Sequence, residues 1–224
     1  MVELIIGIIG GEVRELKALE ASCIILAGGK SLRFGHDKVL ETVGNVSLLQ
    51  RVISCVSSTS SEIIIVAAEE QTAFRLGDYS GLRIVTDIYP GKGPLGGVFT
   101  GLASSTSFYN LVVASDMPFL NQALLHYMIR LSARFDLVVP RVGKLVEPLH
   151  AVYTRSCLPH IESMIKQNKL SIYQLFHLVR VRYVEAEEIE RFDPKHLSLF
   201  NINTEADLER ARELDKGNMT NDKC

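Results

Sequence analysis

Cys23-Ile24-Ile25-Leu26-Ala27-Gly28-Gly29-Lys30-Ser31-Leu32-Arg33-Phe34-Gly35-His36-Asp37-Lys38 is the stretch that decides how this chain is read. Cys23–Ala27 is a short, continuous apolar run that ends in glycines, the pattern of a strand buried on both faces of a parallel sheet. Gly28, Gly29 and Gly35 then let the backbone turn sharply and offer bare N–H groups to an anion. Lys30, Arg33 and Lys38 add positive charge to the same loop. Phosphate needs both features, and each charge-assisted hydrogen bond contributes roughly 1.5–3 kcal/mol. The segment therefore reads as a strand followed by a phosphate-binding loop, against the blander reading of a solvated glycine turn with incidental lysines. A Walker A loop is excluded, because that motif needs glycine five residues before Gly29, where this chain has Ile24.

Outward from this loop, strands and helices alternate. Ile63–Ala67, Leu82–Thr86, Leu111–Ala114 and Leu137–Val139 are further apolar runs of strand length. Ser47–Val56 reads as a helix with Leu48, Leu49, Val52, Ile53 and Val56 on one face and a capping box from Ser47 and Gln50. Other helices are expected near Leu95–Ala103, Gln122–Ala133 and Ser156–Lys166, with a short one from Ser171. Val179–Val184 alternates in the manner of a half-exposed edge strand. Thr204 caps the last helix with Asp207 three residues on, and the polar residues after Lys216 are expected to fray. This order predicts one three-layer α/β domain over residues 22–216, with a mainly parallel sheet and a tail at 217–224. Residues 1–21 read as an appendage, a short strand then a weak helix around Val13–Glu20, or as upstream sequence from a misplaced start codon. Gly7-Ile8-Ile9-Gly10-Gly11 lacks the G-x-G-x-x-G spacing of a dinucleotide site.

Composition narrows the function. The net charge of −2 leaves no broad basic field for nucleic acid or an anionic membrane, so an anionic ligand must be held locally. Leu4–Ile9 is too short to span a bilayer. The 4 cysteines, Cys23, Cys55, Cys157 and Cys224, contain no C-x-x-C pair and read as reduced core thiols, which implies a cytoplasmic protein.

The other chemically unusual residues also follow strands, where α/β sheets bind ligands. Val112-Val113-Ala114-Ser115-Asp116-Met117-Pro118 ends a strand in a carboxylate, either a Mg²⁺ ligand beside a triphosphate or a turn aspartate. Thr86-Asp87 leads into the glycine-rich Tyr89-Pro90-Gly91-Lys92-Gly93-Pro94, either a second ligand loop or a flexible connection. His150, in Glu147-Pro148-Leu149-His150, either contacts an acceptor or fills the surface beside a strand. Asn201 and Asn203 alternate on an expected short strand, either to bind a polar substrate or to cap the helix. Lys169 and Ser171 are further acceptor candidates.

Together LAGGKSLRFGHDK, VTDIYPGKGPLGGVFTGL, VVASDMPFL, EPLHAVY and FNINTEADL resemble the molybdenum cofactor guanylyltransferases, the MobA family, over about residues 22–215. The first motif is shared with other cofactor and sugar nucleotidyltransferases. The resemblance implies a Rossmann-like nucleotidyltransferase fold. It also implies an enzyme that joins GMP from GTP to molybdopterin, with Mg²⁺ as cofactor and molybdoenzyme-maturation proteins as further partners. Carried onto this chain, it implies nucleotide contacts from the backbone of Leu26, Ala27, Gly28 and Gly29 and from Asp87. It makes Arg33, Lys38 and Asp116 catalytic, with Lys38 on the phosphates and Asp116 on both metal and nucleotide. The chain departs from the family at Val66-Ala67-Ala68-Glu69, where the family often has asparagine. The rival readings are a CTP-dependent molybdopterin enzyme, a sugar or phospholactate nucleotidyltransferase, and an inactive nucleotide-binding regulator.

Overall fold

The run that ends in Ala27 is the centre of the sheet. In the computed structural model, which describes residues 5–9, 12–16, 20–27, 41–68 and 82–221, Ala21–Ala27 is buried along its whole length. This strand, β3, follows Ile5–Ile9 (β1) and Glu12–Leu16 (β2) in the chain. It pairs in parallel with Glu62–Ala67 (β6), which places Leu26 opposite Val66, and with Tyr109–Ala114 (β8), which places Leu26 opposite Ala114. A strand flanked on both edges and covered on both faces can be apolar throughout, and that is why its sequence does not alternate.

Arg83–Thr86 (β7) extends the sheet beyond β6 in parallel. On the other side of β8 come His150–Thr154 (β11), Leu137–Val142 (β9) and Val181–Glu185 (β12). β11 runs antiparallel to both neighbours, while β12 is parallel to β9. Leu145–Val146 (β10) folds back on the end of β9 through a turn at Gly143. The remaining pair, Thr42–Val43 (β4) and Val46–Ser47 (β5), is a small hairpin of its own.

Helices cover both faces. Leu48–Val56 (α1) and Gln122–Leu131 (α3) pack with Cys23, Ile25, Leu111, Val113 and Val152 on one side. Pro94–Ser104 (α2) and Leu158–Lys166 (α4) pack with Ile24, Leu26, Val112 and Tyr153 on the other. The alternation along β3 thus divides two core layers. Gly101 of α2 lies so close to β3 that a Cβ there would stand 2.3 Å from Ile24 Cγ2. Ala186–Ile189 (α5) is a short turn, and Glu205–Asn221 (α6) ends the described chain.

Most predicted elements are present with shifted ends. Ser47 Oγ accepts from the Gln50 N–H at 3.2 Å and caps α1. Thr204 Oγ1 accepts from the Asp207 N–H at 3.2 Å, and Asp207 Oδ2 returns to the Thr204 N–H at 2.8 Å. β12 is a half-buried edge, as its alternation predicts. Three expectations are corrected. The weak helix around Val13–Glu20 is instead β2, paired antiparallel with β1 so that Ile9 meets Glu12. The segment after Ser171 is a 3₁₀ turn, Ile172–His177. Helix α6 continues past Lys216 to Asn221. β11 was not among the expected strands. Cys23, Cys55 and Cys157 are free thiols, and burial pushes Cys157 up to about 12. Among the described residues no helix is long and apolar enough to cross a membrane.

Candidate active site

The strand order reverses at β3. From there the chain moves outward to β6 and β7, then returns to β8 on the opposite side. A crevice opens at the carboxyl ends of strands at such a point. Leu26 and Ala27 end β3 there, and Asp116 follows β8 beside them. The Ser115 N–H donates to Leu26 O at 3.1 Å, which ties the two strand ends together. Gly28, Gly29, Lys30, Arg33 and Lys38, predicted to bind phosphate, lie outside the described residues. β3 directs the chain into that loop from the middle of the crevice.

Asp87 closes the far end, following β7. Its N–H donates to Ala67 O at 2.8 Å, and its Oδ1 accepts from Thr100 Oγ1 at 2.7 Å and from the Tyr89 N–H at 3.0 Å. Gly96 is required beside it, because a Cβ there would lie 3.0 Å from Asp87 Oδ2 and 2.7 Å from Tyr89 O. β6 and β3 separate β7 from β8, so Asp87 and Asp116 stand roughly 14 Å apart at ~4.8 Å per strand. Lys92 Nζ donates to Asn168 Oδ1 at 3.0 Å and draws the segment with Lys169 and Ser171 to the Asp87 side.

At the near end Asp116 gathers two other segments. Asp116 O accepts from the Ile202 N–H at 3.0 Å, so the Phe200–Asn203 stretch is hooked to the end of β8. That stretch belongs to no strand, contrary to the expectation from its alternation. Asn201 Nδ2 donates to Glu147 Oε2 at 2.8 Å, and the Leu149 N–H donates to Glu147 Oε1 at 3.1 Å. Asn203 is exposed, and its N–H bonds to Asp207 Oδ2 at 2.9 Å, at the start of α6.

Glu147 carries no role in the sequence reading, which singles out its neighbour His150 instead. Burial raises its carboxyl above the usual range, the Leu149 and Asn201 donors oppose that rise, and the nearby charge of Asp116 adds to it. Two carboxylates thus share the near end of the crevice, and a carboxylate before proline at the end of a hairpin was the available signal. Tyr153 Oη fixes the turn by donating to Pro148 O at 2.9 Å.

His150 departs from both of its sequence readings. It is fully buried in β11 opposite Val113, neither on the crevice surface nor on the outer surface beside a strand. Neither ring nitrogen has a hydrogen-bond partner among the described residues. Burial pushes its pKa down to about 4, against the opposing pull of Asp193.

The oxygen-rich near end suits a hard cation. Asp116 and the buried, unpaired Oδ1 of Asn201 offer oxygen donors, with the Glu147 carboxyl nearby, and Mg²⁺ prefers one or two carboxylates with phosphate oxygens. Among the described residues no group of three or more His, Cys, Asp or Glu side chains is arranged to hold a metal. A bound phosphate would add its own oxygens to this set.

Comparison with known proteins gives the same direction. A family model described as the MobA-like NTP transferase domain matches residues 23–182. The chain is 37% identical over 202 residues to a Pelotomaculum thermopropionicum protein named "Probable molybdenum cofactor guanylyltransferase", covering 90% of this chain and 97% of that one. It is 36% identical over 192 residues to the molybdenum cofactor guanylyltransferase of Desulfosudis oleivorans, covering 84% and 92%. The crystal structure of molybdopterin-guanine dinucleotide biosynthesis protein A from Archaeoglobus fulgidus superposes with a TM-score of 0.78 at 27% identity, covering 88% of this chain and 99% of that one. A divalent cation goes with a nucleotidyltransferase of this kind. The crevice at the β3–β8 junction, the carboxylate that follows β8 and these matches together place the chain in the MobA-like NTP transferase family.

Proposed function

We propose that this protein transfers GMP from GTP to molybdopterin, forming molybdopterin guanine dinucleotide and releasing pyrophosphate, with Mg²⁺ as its cation. The observation that carries this reading is the placement of Asp116 at the carboxyl end of β8, next to the strand that leads into the glycine-rich, cationic loop. The names of the 37% and 36% identical relatives supply the substrates.

The terminal phosphate of molybdopterin attacks the α-phosphorus of GTP in line, and pyrophosphate leaves. Phosphoryl chemistry of this kind asks the protein mainly for positioning and charge neutralisation. Leu26, Ala27, Gly28 and Gly29 present backbone to the nucleotide. Asp87, roughly 14 Å across the sheet from Asp116, holds its nucleoside end. Lys38 and Arg33 offset the charge that grows on the departing pyrophosphate. Asp116 would hold Mg²⁺, which when bound neutralises phosphate oxygens. The attacking phosphate is already anionic at neutral pH, so no general base is required. The buried, neutral His150 does not serve as one. Molybdoenzyme-maturation proteins are the expected recipients of the product.

Purified protein with Mg²⁺, molybdopterin and each of GTP, CTP, ATP and UTP tests the assignment by chromatography of the product. The dinucleotide should form with GTP. A cytidine dinucleotide instead would move the chain to CTP, and no product with any nucleotide would overturn the reading.

A further inference from the structure

Glu147 has a second property that its proximity to Asp116 does not explain. Both of its oxygens are engaged by donors from different segments: Oε1 by the Leu149 N–H at 3.1 Å and Oε2 by Asn201 Nδ2 at 2.8 Å. With both oxygens accepting, Glu147 holds the amide of Asn201 with its nitrogen turned inward. The other end of that amide, Oδ1, is buried and has no hydrogen-bond partner among the described residues. Leaving an acceptor dry and unpaired costs free energy, and such groups in folded proteins call for a partner. Asn201 adjoins Ile202, whose N–H bonds to Asp116 O at 3.0 Å, so the unpaired oxygen belongs to the segment hooked to the proposed metal-binding carboxylate.

We propose that Glu147 is a positioning residue: it locks the Asn201 amide so that an oxygen, and not an N–H₂ group, is held ready for the divalent cation beside Asp116. This rests on the nucleotidyl-transfer reading above. The variant Glu147→Gln shows why the carboxylate matters. The oxygen of the new amide would keep the Leu149 bond, which leaves its nitrogen facing the Asn201 nitrogen. Two donors then oppose each other, and the amide of Asn201 relieves this by rotating half a turn. The nitrogen would take the place of Oδ1 and repel a cation. Adding Asn201→Asp to Glu147→Gln restores the pattern: the introduced amide nitrogen donates to one oxygen of the introduced carboxylate and leaves the other where Oδ1 was.

The test measures free Mn²⁺ by electron paramagnetic resonance during titration of the full chain with saturating GTP and no acceptor. Wild type is compared with Glu147→Gln, Asn201→Leu and the double variant Glu147→Gln/Asn201→Asp, with a thermal melt of each. Glu147→Gln and Asn201→Leu should each weaken Mn²⁺ binding about tenfold, which is about 1.4 kcal/mol. The double variant should return to within about threefold of wild type. Wild-type Mn²⁺ affinity in Asn201→Leu would overturn the proposal, because a role for Glu147 through charge alone leaves that variant unaffected. Failure of the double variant to recover would overturn it as well. Should Glu147→Gln not fold, Asn201→Leu still decides. Wild type that binds Mn²⁺ and GTP yet forms no dinucleotide would remove the functional reading while the order of Mn²⁺ affinities still judges Glu147.

Discussion

Thr100 Oγ1 donates a 2.7 Å hydrogen bond to Asp87 Oδ1 and accepts one of 3.1 Å from the Ile88 N–H. A buried hydroxyl on α2 thereby orients the carboxylate that follows β7 and satisfies the backbone beside it. Thr100→Val keeps the shape and removes both bonds. The Ile88 N–H would lose its acceptor, at a cost of roughly 1–3 kcal/mol in stability. Asp87 would lose its fixed orientation, so the KM for GTP should rise severalfold with little change in kcat. Steady-state kinetics together with urea unfolding check both effects.

His150 makes stability depend on pH. Its pKa is pushed down to about 4 by burial, below the ~6.5 of an unfolded histidine. The unfolded chain therefore takes up a proton below about pH 6.5 that the folded chain refuses, and stability is lost as pH falls from about 6.5 towards about 4. At about pH 5 the loss from this one group amounts to about 2 kcal/mol. Urea unfolding at about pH 7 and about pH 5 should show that difference in wild type and a smaller one in His150→Leu. Equal pH dependence in the two would disprove it.

The last helix is pinned by an ion pair. Arg51 Nη1 lies 2.9 Å from Asp215 Oδ1 and its Nη2 lies 2.9 Å from Oδ2, while Nε and Nη2 also donate to Val43 O. The pair is largely out of solvent and seats α6 on the β4–β5 hairpin beside Val43, Leu48, Leu208 and Ala211. Asp215→Ala leaves the guanidinium with the Val43 carbonyl as its acceptor among the described residues. It should lower stability by about 1–3 kcal/mol, less than for a fully buried pair. Turnover at room temperature should stay near wild type, because the pair lies outside the crevice. Thermal melts and initial rates report these separately.

How much of this was legible depends on where the deciding interactions lie. β3 could be read directly, because a strand flanked and covered on every side needs apolar residues at each position from Cys23 to Ala27. Helix α1 could be read from one apolar face and its Ser47 cap. The error at Glu12–Leu16 has a physical cause: Val13 and Leu16 have helical spacing, yet the segment pairs with Ile5–Ile9 across Gly10-Gly11, a hairpin signal that the helical reading overlooked. The placement of Asp87 and Asp116 at strand ends could be read because each is polar after an apolar run. Glu147 and its bond to Asn201 join residues 54 positions apart, a pairing that local pattern does not encode. The burial of His150 depends on β11 entering the sheet antiparallel between β8 and β9, which follows from topology and not from the residues around it.

The most direct test of the central claim, that the crevice beside Asp116 is the site of nucleotidyl transfer, is pyrophosphate release by Asp116→Ala with GTP, Mg²⁺ and molybdopterin. Asp116 is partly exposed on a turn after β8, and its backbone bond to Ile202 survives the substitution, so the fold should persist with a near-unchanged melting temperature. The release rate should fall by roughly 10²–10³ relative to wild type, the scale of removing one group that stabilises transition-state charge. A folded Asp116→Ala variant that releases pyrophosphate at the wild-type rate would contradict the account.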